Sequence, residues 1–317
     1  MITQNIEQAI EALNKNEIVA IPTETVYGLA GNAFQEVAIQ KIYSLKKRPF
    51  HNPLIVHISS IYDLSLVAKD IPEIALKLAE HFWPGPLTLV LPKTSNIPDI
   101  VTAGKNTVAV RIPQHPMALK LLSQLDYPLA APSANPFGSI SPTKALHVEK
   151  YFHQHLDVIL DGGDCHAGIE STILGFKNNQ VIVYRQGSIP LEEIEKITGP
   201  LIYNTLNNET PDAPGMLTKH YAPSAETYLT NNVSEMMKLF PDKNIGLLLF
   251  TQKIQGPNII HRETLSLTQN LREAAANLYA ALHRLDQYQP DVIIAERLPD
   301  QGLGKAINDK LTRAAAK

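Results

Sequence analysis

Residues 44–59 read SLKKRPFHNPLIVHIS. Lys46, Lys47 and Arg48 close a helical stretch, Pro49 stops it, Asn52 and Pro53 turn the chain, and Leu54–Ile58 is an apolar, largely β-branched run. A helix that ends at a proline and gives way to a buried strand within a few residues is the unit from which α/β proteins are built. The same alternation extends over the first 200 residues. Strands are predicted over Ile18–Ile21, Leu54–Ile58, Leu87–Leu91, Thr107–Arg111, Leu129–Ala131, Val158–Leu160, Ser171–Leu174 and Val181–Tyr184. Helices are predicted over 4–15, 35–47, 72–82, 115–125, 143–153 and 190–197. The last strands follow one another without intervening helices, so the sheet is expected to be mixed.

A second α/β block begins near residue 226. Strand AETYL, a helix over 232–240, strand NIGLLLF, the run IIHRETLSL, a long helix over 269–287, strand DVIIAE and a helix from 302 follow in order. Leu271, Ala274, Ala275, Leu278, Leu282 and Leu285 form one apolar stripe on the long helix. This is the pattern of a small doubly wound domain, without a glycine fingerprint after its first strand. Between the blocks, residues 203–224 (YNTLNNETPDAPGMLTKHYAPS) show no periodicity and read as a linker or as a lid. The expected organisation is therefore 1–202, a linker over 203–224, and 225–317.

A length of 317 residues suits two domains. Lys and Arg number 28 against 31 Asp and Glu, a net charge of −3, which excludes a polybasic nucleic-acid binder but leaves room for a local basic pocket. Hydrophobic residues make up 44% and charged residues 19%, which excludes a disordered chain. The lone Cys165 excludes a disulfide framework and any Cys-rich metal module. MITQNIEQAIEALNKNE lacks the basic start and apolar run of a secretory signal, and no apolar run approaches the roughly 18 residues of a membrane span. A cytoplasmic protein without membrane contact is expected.

Six segments could carry chemistry. In IPTETVYGLAGNA, Thr23, Glu24 and Thr25 stand just past a strand, where α/β sheets place ligands, although a capped turn would use the same residues. In the opening stretch Lys46, Lys47 and Arg48 complement a helix C-terminus, yet together with Asn52 and the inward His57 they suit a pocket for an anionic substrate. Arg111, at the end of TVAVR, must meet a carboxylate or phosphate or else reach an edge. The small residues from Ala131 through Ser133 to Ser141 would let backbone approach a phosphate. DGGDCHAGIESTI has the glycine frame of a Walker loop but Ile169-Glu170 where Lys-Ser/Thr is required, and Asp161, Asp164, Cys165 and His166 lack a second ligand group for a metal. Arg185 follows a strand in VYRQGSI. No nucleophile elbow and no H-E-x-x-H motif is present.

Taken in order, PTETVYGLA, KKRPFHNPLIVH, WPGPLTLVL, VAVRIPQHP, APSANPFGSISPT, GIESTI, RQGSI and PGMLTKHYAPS resemble the long, two-domain threonylcarbamoyl-AMP synthases. The resemblance implies a YrdC-like twisted mixed sheet with flanking helices plus a small Rossmann-like α/β C-terminal domain. It implies a nucleotidyltransferase that makes threonylcarbamoyl-AMP and pyrophosphate from L-threonine, bicarbonate and ATP. A tRNA threonylcarbamoyl-transferase system would act downstream beside the anticodon, with at most a weak tRNA contact of this chain. By motif, L-threonine contacts fall on Thr25 (Thr23 being the alternative), His57, Arg111 and Ser171 (Thr172 the alternative). ATP contacts fall on Arg48, Asn52, Thr107, Ala131, Ser133, Ser141, Arg185 and Tyr221, with Lys46 joining Arg48 at the phosphates in the catalytic cluster. Mg²⁺ would enter with ATP, bound mainly through phosphates, with no dedicated protein metal site. A non-catalytic RNA-binding protein of the same fold is opposed by the intact basic set, and the larger carbamoyl-transferring enzymes that share the domain carry Cys-rich zinc modules that one cysteine cannot build.

Overall fold

The structure is a computed structural model that describes residues 1–178, 180–203, 213, 220–251 and 253–316. Eleven of its strands form one mixed sheet: β1 (Ile2–Thr3), β2 (Val19–Ile21), β3 (Gly28–Asn32), β4 (Ile55–His57), β5 (Leu87–Pro92), β6 (Thr107–Arg111), β7 (Leu129–Ala130), β8 (Ile159–Leu160), β9 (Thr172–Lys177), β10 (Gln180–Arg185) and β11 (Ile202–Tyr203). Their order across the sheet is β1-β8-β2-β3-β7-β4-β6-β5-β9-β10-β11. Each predicted strand forms, within a few residues of its expected bounds.

The sequence reading passed over β3, because Gly28, Gly31 and Asn32 are poor strand formers. It is nonetheless an interior strand, antiparallel to both β2 and β7. The helix Glu36–Lys46 packs on it, and a Cβ on Gly31 would stand 3.3 Å from Ala38, Ile18 and Ile42. Glycine is retained there for close approach rather than for turning. That helix ends because Lys47 takes the left-handed conformation (φ 51°) and its N–H bonds back to Tyr43 and Ser44, one residue before Pro49 would have stopped it.

Register places the centre of the molecule. β4 and β6 run parallel with Ile55 opposite Ala109 and His57 opposite Arg111. Strand side chains alternate, so Val56, Val108 and Val110 enter the main core below, while Ile55, Ala109 and Ile173 cluster on the other face with Ala213 of the linker. His57 and Arg111 share that second face.

The remaining strands, β12 (Glu226–Thr230), β13 (Ile245–Leu249), β14 (Ile259–Thr264) and β15 (Val292–Glu296), form an all-parallel sheet in the order β12-β15-β13-β14. The run IIHRETLSL thus contains the edge strand β14, its burial alternating along Ile259–Thr264. The long helix Leu271–Gln287 starts at Asn270, whose side chain caps Arg272 and Glu273 N–H groups. It buries more than its apolar stripe: Tyr279 and His283 are buried as well, because the helix lies between its own sheet and the first domain. One hydrophobic cluster accordingly mixes Val26, Ile140 and Ile169 with Leu278, Leu282 and Ile293. Among the described residues no helix is long and apolar enough to cross a membrane.

At this junction the rings of His147 and His283 stack with centroids 3.8 Å apart. Burial, followed by the charge of His283, pushes His147 down to about 3. Burial also brings His283 down to about 4. Unfolded histidine titrates near 6.5. Between these values the unfolded chain binds more protons, so the stability contributed by the neutral pair is whole above pH 6.5 and is lost as pH falls toward 4. The melting temperature is expected to drop between pH 7 and pH 5, with a shallower slope in His147→Gln. A flat profile, or an identical slope in the variant, would refute this account.

Candidate active site

Three chain reversals meet over the His57–Arg111 pair. The first is the β2–β3 connection that carries Thr23, Glu24 and Thr25. Thr23 Oγ1 donates to the Val26 carbonyl at 2.6 Å and accepts from the Thr25 and Val26 N–H groups, so its hydroxyl is the one that builds the turn. Thr25 Oγ1 is left facing Arg111, whose Nη1 donates to it at 2.9 Å. The Arg111 guanidinium is buried, and its Nη2 lies 2.5 Å from Glu24 Oε1 while Nε donates to the Gly85 carbonyl at 3.3 Å. Glu24 also accepts the Gln114 N–H at 3.0 Å. The strand arginine has therefore met a carboxylate, and that carboxylate is Glu24. His57 beside it is held down to about 3 by burial and then by the Arg111 charge, and its Nδ1 has no partner among the described residues. It is a neutral hydrogen-bonding group with one free nitrogen.

The second reversal is the loop after β7. Ala131 and Ser133 line the cavity. Lys46, at the end of its helix, reaches under the loop and donates to the Ser133 and Asn135 carbonyls, each at 2.5 Å. Arg48 lines the cavity too, held by the Asn52 carbonyl (3.0 Å), Asn52 Oδ1 (2.6 Å) and the Pro53 carbonyl (2.7 Å). The third reversal is GIEST. Ser171 Oγ shares a hydrogen bond with Thr88 at 2.7 Å and accepts from Arg185 Nη2 at 3.0 Å, and Arg185 also donates to the Ser171 carbonyl. Thr172 points away, exchanging hydrogen bonds with Ile189.

These walls enclose about 50 Å³, lined by Thr25, Arg48, His57, Arg111, Ser171, Arg185 and their neighbours and roofed by His220 and Tyr221. Ligand pockets usually measure about 300–1,000 Å³, so the roof residues fill much of the space that a substrate would take. Lys46 and Arg48 are 1% and 6% exposed and are held by carbonyl and amide oxygens rather than carboxylates. Burial, and then the Arg185 charge among the neighbouring cations, lowers Arg48 to about 10, which still leaves it charged at neutral pH. Burial, and then the Arg48 charge, pushes Lys46 well below the usual lysine range. A buried cation without a carboxylate of its own, as Arg48 is, makes a site that an anion stabilises.

Comparison with known proteins gives the arrangement its context. Residues 11–187 match the family model for Sua5, YciO and YrdC domains, described as telomere recombination, and residues 189–316 match the model for the threonylcarbamoyl-AMP synthase C-terminal domain. A threonylcarbamoyl-AMP synthase of Pyrococcus abyssi is 42% identical over 96% of this chain and 92% of its own length, and one of Bacillus subtilis is 41% identical over 98% and 92%. The chain belongs to the threonylcarbamoyl-AMP synthase family. The crystal structure of Pyrococcus abyssi Sua5 complexed with L-threonine superposes with a TM-score of 0.91 at 39% identity, covering 98% of this chain and 94% of that one. The mixed sheet with flanking helices and the two-domain layout are those of this family.

Several residues that the synthase resemblance pointed to stand behind the cavity wall rather than on it. Asn52 is the clamp on Arg48. Lys46 staples the loop. Ser141 donates to Glu170 Oε1 at 2.7 Å and reaches the cavity only through that carboxylate, which does line it. Thr107 begins β6 four residues before Arg111, on the same face but about 13 Å away along the strand. Thr25, His57, Arg111, Ser171, Arg48, Ala131, Ser133, Arg185 and Tyr221 do come together on the wall. Glu24, a candidate from the PTET segment, serves as the partner of Arg111. Residues given no site role by the sequence reading include Glu170, quoted there inside a motif, and His220, which sits among Arg48, Lys46 and Arg185 with its imidazole held neutral by burial and their charges. From the last helix, Leu303–Ala314, Lys310 brings its Nζ to 5.5 Å from the Tyr221 ring centroid, which no local pattern announces. Among the described residues no group of three or more His, Cys, Asp or Glu is placed to hold a metal ion.

The ion pair can be tested without substrate. Glu24→Ala leaves Arg111 buried with only neutral partners, and loss of one member of a buried pair costs about 3–5 kcal/mol. Urea unfolding is expected to show a loss of that order, with a smaller one for Glu24→Gln. A midpoint unchanged in Glu24→Ala would mean that the pair does not hold the turn.

Proposed function

We propose that this protein condenses L-threonine, bicarbonate and ATP into threonylcarbamoyl-AMP and pyrophosphate, in the cytoplasm, for transfer to tRNA by a downstream enzyme system. The observation that carries the reading is the pairing of two unlike walls in one cavity. One holds the neutral His57 beside the anchored Arg111 and Thr25, and the other holds Arg48 and Arg185 with Lys46 behind them.

Threonine amine and bicarbonate give an N-carboxylate with loss of water. One of its oxygens then bonds to the α-phosphorus of ATP as the bond from that phosphorus to the β-bridging oxygen breaks, releasing pyrophosphate. Such a displacement requires alignment and charge stabilisation, not an enzyme nucleophile. In this scheme the remaining N–H of Arg111 Nη1 receives the amino-acid carboxylate, and the Thr25 hydroxyl turns from Thr23 Oγ1, 2.9 Å away, to donate to it as well. Neutral His57 and the Ser171 hydroxyl meet its other polar groups without adding charge. Arg48 and Arg185 face the phosphates, and Lys46 keeps the Ala131–Ser133 backbone where a nucleotide can touch it. Magnesium would arrive with ATP and be bound mainly through phosphate oxygens. The nearby carboxylates are already engaged, Glu24 by Arg111 and Glu170 by Ser141, which is compatible with an ion that takes few protein ligands. Tyr221 would cover the nucleotide once the His220–Tyr221 segment has made room for it.

Pyrophosphate release from ATP that depends on both threonine and bicarbonate is the direct test, and its absence with folded protein would end the proposal. Arg48→Ala is expected to lower kcat/KM for ATP by about 10²-fold or more, the size of losing one oriented charge-stabilising donor. Arg111→Ala is expected to raise the threonine KM chiefly. Wild-type turnover in either variant would remove the role assigned to it.

A further inference from the structure

The long helix Leu271–Gln287 belongs to the second sheet, yet two of its side chains end on the first domain, one at Glu170 of the cavity wall and one at Ser141 behind it. Tyr279, fully buried, donates its hydroxyl to Glu170 Oε2 at 2.8 Å. Ser141 Oγ donates to the other oxygen of the same carboxylate at 2.7 Å. One helical turn later, His283 Nε2 lies 3.2 Å from the Ser141 carbonyl oxygen. A carbonyl only accepts, so Nε2 carries the proton in this contact. Ser141 is thus gripped at its hydroxyl through Glu170 and at its carbonyl directly, and both grips originate on one helix face outside the catalytic domain.

The approach is built in at the backbone. Gly168, two residues before Glu170, has φ 72°, and a Cβ there would collide with the backbone of Ala275 and Ala276. Only glycine meets both requirements, the left-handed conformation and the contact. Tyr279 also lies with its ring centroid 5.5 Å from that of Tyr221, so the same side chain touches the roof of the cavity.

We propose that Tyr279 and His283 are positioning residues of the active site, through which the C-terminal domain fixes Glu170 and the Ser141 turn for nucleotide binding. The proposal rests on the reading of this cavity as an ATP site. Neither residue touches substrate; each acts through Glu170 or Ser141. The second domain is then part of the nucleotide site rather than an appendage to it.

The test uses the full-length chain. Tyr279→Phe keeps the ring and removes one oxygen, leaving Glu170 Oε2 without its donor. A hydrogen bond to a charged group contributes about 1.5–3 kcal/mol, equivalent to roughly a 10- to 100-fold change. The ATP KM is expected to rise at least tenfold while the threonine KM stays within twofold. His283→Gln should show the same split more weakly, and serves if Tyr279→Phe does not fold. In a Ser141→Ala background, adding Tyr279→Phe should change the ATP KM by less than twofold, because both changes act through one carboxylate. A lower kcat with both KM values unchanged would indicate only a smaller folded fraction and overturn the proposal, as would independent, multiplying effects of Tyr279→Phe and Ser141→Ala. Failure of the wild-type protein to release pyrophosphate would instead refute the functional reading beneath it.

Discussion

Positive charge buried in a sheet protein must be met by oxygen, and here that requirement organises the loops. Arg111 draws Glu24 and with it the β2–β3 connection. Arg48 gathers the Asn52–Pro53 backbone, Lys46 the Ser133–Asn135 backbone, and Arg185 the Ser171 backbone. Each cation fixes a segment that has no regular secondary structure of its own. Because Arg48 is satisfied by dipoles and not by a carboxylate, its charge remains available to an anion while the oxygens that hold it are already committed. The cavity is in this sense assembled from the outside, by tethers that belong to the protein itself.

Much of this was readable from sequence, and the exceptions have physical reasons. Strands such as β4 and β6 announce themselves through β-branched residues, and their parallel register brings His57 and Arg111 together without further information. β3 did not announce itself, since its glycines are there to admit a helix and pattern reading weighs them as breakers. The motifs converge on one cavity, but a motif does not say which of its residues faces inward. Asn52 and Ser141 carry the right chemistry and use it on Arg48 and Glu170. The PTET segment shows how the choice is made locally: Thr23 closes the turn, and that leaves the hydroxyl of Thr25 to Arg111.

What sequence could not show is anything that arises where the two sheets meet. The apolar stripe of the long helix was legible because it obeys a 3.6-residue period. Tyr279 and His283 fall outside that stripe and would pass for ordinary polar-face residues until a second surface is brought against them. Likewise Lys310 has the composition of a solvated helix residue, yet it is buried, donating to the Gln186 carbonyl and to Asp309. Period-based reading finds the face a helix turns to its own sheet and is blind to the face it turns to a neighbouring domain.

This asymmetry bears on how the second domain contributes. An open parallel sheet of its type normally binds ligands in the crevice beyond the C-terminal ends of its strands. In this chain Glu296, the last residue of β15, turns its carboxylate onto the Phe250 N–H at the end of β13. The ends of these two strands are thereby tied together. The domain instead presents the flank of one helix and the buried face of another, with Tyr279 and His283 from the first and Lys310 from the second directed at the catalytic wall and its roof. A helix flank cannot open and close around a ligand as a loop can. It fixes the side chains it touches at a set distance from the strands beneath, and Glu170 on the wall and Ser141 behind it need that constraint because they belong to two loops with no ladder of their own to hold them.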